Sequence, residues 1–124
     1  MKKLIILLGS LFIITACQYE VIEVEVIPPP DPNVELSFTT DILPIFTAGN
    51  NCTSCHAPGK TKPDLTAANA YASLKDGYLV ENNPGSSKIY TYPHPDASTH
   101  RWVVLTKNQA ELLFTWINQG AKNN

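Results

Sequence analysis

The chain has 124 residues, a length for one domain, and its 9 Lys/Arg stand against 11 Asp/Glu for a formal charge of −2. That mild acidity, with no basic stripe or arginine cluster, leaves no electrostatic footprint for a nucleic-acid partner. Three cysteines and two tryptophans in so short a chain direct attention to the few residues that carry chemistry.

Residues 1–16 are read as a signal segment rather than as part of a fold. Lys2 and Lys3 precede an apolar run from Leu4 to Ile14, and Thr15 and Ala16 supply small residues before Cys17. This order of positive charge, apolar run and small residues is that of an export signal. The run falls short of the ~20 residues that a spanning helix needs. Ile14-Thr15-Ala16-Cys17 resembles the lipobox of bacterial lipoproteins. The resemblance implies cleavage after Ala16, lipid on Cys17, and a chain anchored in the cell envelope, on the periplasmic side or at the outer membrane. An ordinary signal peptide ending beside a chance cysteine is the plainer alternative. Loss of two of the nine basic residues and none of the eleven acids would leave the mature chain at −4.

Residues 17–35 carry Glu20, Glu23, Glu25, Asp31 and Glu35 with no Lys or Arg, and then Pro28-Pro29-Pro30 and Pro32. A self-repelling, polyproline-stiffened tether is expected. The alternation from Val21 to Ile27 permits a short strand, for which no partner segment is evident.

The folded part is expected from residue 36 to the end of the chain. A core this small is marginal without a disulfide, a metal or a large apolar cofactor. Ile42, Ile45 and Phe46 share a face of a first helix over 40–48, with Pro44 in its opening turn. Thr66 is placed to cap a second helix over 67–75, ended by Gly77, and residues 86–90 suggest a further turn. The last helix is the clearest. Thr106 and Gln109 form a capping box, Ala110, Leu113, Phe114 and Ile117 repeat at helical spacing, and Gly120 stands just past the end. The fold class expected is all-α, with long loops.

Cys52-Thr53-Ser54-Cys55-His56 follows the first helix and matches C-x-x-C-H, the c-type haem attachment signature. Two thiols three positions apart can form thioethers to one porphyrin edge, while the next imidazole ligates the iron. Other readings compete: a Cys52–Cys55 redox disulfide, a zinc site completed by a distant histidine, and a structural disulfide loop. The first needs a thioredoxin-like βαβ context and the second needs four ligands.

From Phe38 to Lys122 the sequence resembles the small c-type cytochrome domains of exported and lipoprotein-anchored bacterial proteins. The residues that carry the likeness are Ile42-Leu43-Pro44-Ile45-Phe46, the C-x-x-C-H motif, the stretch from Asn83 to Tyr90, and the ending Trp116-Ile117-Asn118-Gln119-Gly120-Ala121. The resemblance implies class I cytochrome c-like helices around one covalent haem c, with Cys52 and Cys55 attached to it and His56 as proximal iron ligand. It also implies packing of the first helix on the last. The family's distal methionine is missing, since Met1 is the one methionine of the chain. His100 is expected as distal ligand, with His94 or an open site as alternatives. The function so implied is single-electron transfer, not enzymatic, with an unknown redox partner and a membrane anchor at Cys17. A haem-based sensor or peroxidase is the alternative.

Overall fold

In a computed structural model the structure describes residues 28–49 and 51–124. The signal segment, Cys17 and the possible strand over 21–27 lie outside the described residues. Among the described residues every regular element is helical, and no helix is long and apolar enough to cross a membrane.

The chain enters the fold at Leu36, whose side chain is buried. Ser37 then starts a helical stretch over 38–49. Its hydroxyl accepts from the Thr40 N–H at 3.3 Å, and its own N–H donates to Asp41 Oδ2 at 2.7 Å. These paired bonds satisfy donors that a helix start otherwise leaves open. The stretch begins two residues earlier than its periodicity suggests, so Pro44 falls in the middle rather than in the opening turn. Wide π-type turns, Phe38–Ile42 and Ile45–Gly49, flank that proline. Pro44 has no N–H to donate, and its ring crowds the carbonyl four residues back, which a wider turn relieves.

A 3-10 turn, Cys52–Ser54, follows at once. Helix α1, Ala70–Lys75, is prepared by a knot around Asp64. The Asp64 carboxylate accepts from the Thr66 hydroxyl at 2.6 Å, the Thr66 N–H at 3.0 Å and Asn69 Nδ2 at 2.8 Å. These donors, the Thr66 hydroxyl and N–H foremost, hold its carboxyl below the ordinary range. Gly77, at φ +86°, ends the helical run.

Residues 79–91 are organised by one buried hydroxyl. Ser87 is fully buried; its Oγ accepts from the Val80 N–H at 2.9 Å and lies 2.9 Å from the Asn83 carbonyl and 3.1 Å from the Val80 carbonyl, to either of which it can donate. A short 3-10 turn, Pro84–Ser86, leads from there to helix α2, Lys88–Thr91. The long loop that follows is closed where the Leu105 N–H donates to the Pro93 carbonyl at 2.7 Å.

Helix α3, Lys107–Asn118, starts with the expected capping box, Gln109 and Thr106 bonding reciprocally. It ends in a Schellman motif. The Gly120 N–H donates to the Ile117 carbonyl and the Ala121 N–H to the Trp116 carbonyl, with Gly120 at φ +92°. Ala121, which closes the motif, is fully buried.

One core joins these elements. Ile42, Ile45 and Phe46 of the first stretch and Leu113, Trp116 and Ile117 of α3 belong to it, together with Leu65, Leu74 and Ile89. Each large apolar side chain so buried contributes about 1.5–3 kcal/mol. Phe114 corrects the expected α3 face. It is 42% exposed and rests on Tyr90, ring centroids 5.8 Å apart, while Trp116 takes the core position against Phe38 at 5.5 Å.

Candidate functional site

The 3-10 turn sets the geometry of the cysteines. The Cys55 and His56 N–H groups both donate to the Cys52 carbonyl, at 3.1 and 2.8 Å. In such a turn, side chains three apart fall on one side of the axis. Cys52 is half-buried and Cys55 exposed, and both are free thiols. Burial is the main cause that pushes the Cys52 thiol up, and the neighbouring Cys55 adds to it. The Ser54 hydroxyl approaches the Cys55 sulfur at 3.8 Å.

His56 is oriented by the loop that follows it. Its carbonyl accepts from the Leu65 N–H at 2.9 Å, and its ring Nδ1 lies 3.1 Å from the Pro63 carbonyl. A carbonyl only accepts, so Nδ1 carries a proton and donates it to Pro63.

Of the two histidines in the 93–105 loop, His100 is brought to His56. Their ring centroids lie 6.1 Å apart with planes 23° from parallel. The His100 Nδ1 is buried without a hydrogen-bond partner among the described residues. An unpaired buried nitrogen of this kind costs about 1–3 kcal/mol. His94 is held elsewhere: its Nδ1 accepts from the Asp96 N–H at 3.2 Å, and its ring stands edge-on to Tyr90 at 5.0 Å.

His56 and His100 face a cavity of about 630 Å³. Its walls bring together the cysteine turn, the 61–65 loop, Tyr78, the start of α2 and the loop that ends at Leu105. Phe46, Leu65, Ile89 and Leu105 give it a buried apolar floor, and Trp102, 84% exposed, stands at its edge. The volume lies in the range of small-molecule sites. The sequence points to the cysteines and histidines of this wall. It does not single out Phe46, Tyr78 or Ile89 as cavity residues, because helical spacing marks apolar residues as core without saying which of them border a void.

The haem expectation is corrected here. Among the described residues, no group of three or more His, Cys, Asp or Glu side chains is placed to hold a metal ion. The finding overturns haem c as cofactor, the attachment of Cys52 and Cys55 to it, and iron ligation by His56 with His100 or His94. The resemblance to c-type cytochromes, the electron-carrier function and the haem sensor or peroxidase alternative fall with it. The physical reason lies in the reach of the motif. C-x-x-C-H fixes one local turn, and that turn by itself does not set three donors around one point. The all-α class stands without the haem-centred arrangement.

Comparisons with known protein families, curated proteins and solved structures found no match.

Proposed function

We propose that this chain is an exported lipoprotein, held at a membrane through lipid on Cys17 and a proline-rich acidic tether. On this reading its folded part acts by binding rather than by catalysis. The site is the cavity between the cysteine turn and the 93–105 loop, and it takes a small organic ligand. One observation carries the proposal: a void of about 630 Å³ with a buried apolar floor and two facing imidazoles, one with an unpaired buried nitrogen. Apolar walls with a few convergent polar groups are the usual make-up of small-molecule sites. Attachment at Cys17 would leave such a site clear of the membrane, because up to eighteen residues separate Cys17 from Leu36.

The test uses the mature chain and N-phenyl-1-naphthylamine, a neutral apolar dye that brightens in dry surroundings. Saturable binding at one site per chain is expected. Val104 lines the cavity and is 41% exposed, so Val104→Trp can fill the mouth without entering the core. That variant, with an unchanged circular dichroism spectrum, should bind the dye at least about tenfold more weakly, the equivalent of about 1.4 kcal/mol. Unsaturable binding, or equal binding by the variant, would overturn the proposal.

A further inference from the structure

We infer that the ligand of this cavity is an amphipathic organic anion, a hydrocarbon body bearing a carboxylate or a similar acid group. This inference rests on the binding-module reading above and adds the ligand's chemical class.

Acids outnumber bases in the chain, 11 to 9, yet none of those among the described residues lines the cavity. Three cations do: Lys62, Lys88 and Arg101. The charges of two of these are left uncompensated. Lys88 reaches over the ring of Tyr78, its Nζ 5.8 Å from the ring centroid, and joins no ion pair among the described residues. Arg101 is exposed and likewise unpaired among them. Lys62 differs, sharing its charge with Asp76 at 3.6 Å on the open surface.

A cleft lined by one sign of charge, with apolar walls behind it, focuses that field on whatever enters. The guanidinium of Arg101 offers a planar fork of donors that suits a carboxylate. The floor residues Phe46, Leu65 and Ile89 offer an anion nothing, so they must face the ligand's hydrocarbon. Charge at the mouth and apolar surface beneath it together specify a two-part molecule.

The experiment compares two dyes that differ by one acid group: 1-anilinonaphthalene-8-sulfonate and N-phenyl-1-naphthylamine. Both should bind the mature chain at one site. The sulfonate should bind about tenfold more tightly at low salt and lose most of that margin at high salt. The double variant Lys88→Gln/Arg101→Gln should bind the sulfonate about five- to tenfold more weakly and the neutral dye as before. Equal affinity for the two dyes, or an unaltered sulfonate affinity in the variant, would overturn the anion inference while leaving the cavity as a binding site. Failure of both dyes to bind would remove the binding reading itself and this inference with it.

Discussion

The two cysteines are separated by two residues, yet the fold makes them chemically unequal. Cys55 is exposed, while Cys52 is half-buried and its thiol is pushed up by desolvation. The thiolate is the nucleophile, so a raised thiol reacts less at a given pH, and burial slows it again by limiting access. With iodoacetamide at pH 8, Cys55 of the reduced chain should be alkylated about tenfold faster than Cys52, as read by peptide mass spectrometry. Equal rates would show that the turn does not hold Cys52 against the core. The same scale shows why motif reading went astray. Five consecutive residues specify the turn at 52–56 and its bonds to the Cys52 carbonyl, and nothing in them draws in a donor from another segment. His100, the histidine that the sequence favours over His94, arrives opposite His56 through the path of a long loop. The Asp96 N–H and the Tyr90 ring hold His94 away.

At the scale of elements, α3 was almost fully legible because its signals are local. Thr106, Gln109 and Gly120 act within a turn of themselves, and the structure shows each of them in its expected part. What the sequence could not show is which flank of the apolar stripe faces inward. Ala110, Leu113 and Ile117 suit either Phe114 or Trp116 as the fourth member, and Phe38 decides for Trp116 by packing against it. The first stretch was displaced for a similar reason, since the bonds of Ser37 with Thr40 and Asp41 move its start from the expected residue 40 to residue 38. The end of α3 offers the sharpest test. Space beside Gly120 is open, the nearest atom to an added Cβ being Asn82 Oδ1 at 3.8 Å, so the constraint is the backbone at φ +92°. Gly120→Ala should therefore lower stability by about 1–2 kcal/mol through backbone strain without a steric clash. Gly120→Asn should cost less, because asparagine tolerates the left-handed region better. Denaturant midpoints of the three proteins measure this order, and an alanine variant as stable as the parent would refute it.

At the scale of the whole molecule, the segment leading into the fold is stitched to the segment that follows α3, at residues distinct from those of the cavity. Gln119 does most of the stitching. Its Oε1 accepts from the Leu36 N–H at 2.9 Å, and its Nε2 donates to the Val34 and Pro32 carbonyls at 2.8 and 3.2 Å. Asn124 adds bonds from the Phe38 and Thr39 N–H groups, at 2.9 and 3.0 Å, and Lys122 pairs with Glu35 at 2.9 Å. None of these residues lines the cavity. If the preceding residues form the tether to a membrane, this seam separates attachment from binding, and stability and ligand affinity should respond independently. Gln119→Ala leaves the partly buried Leu36 N–H without its acceptor and should lower stability by about 1–3 kcal/mol. For a domain of this size each kilocalorie corresponds to a fall in Tm of about 4–8 °C. Hydrogen exchange at the Leu36 amide should quicken with it. Affinity for N-phenyl-1-naphthylamine, measured well below the lowered Tm, should stay at the parent's value. A parallel loss of dye affinity would show that the seam and the cavity are one cooperative unit, and that a pull on the tether would be felt at the ligand.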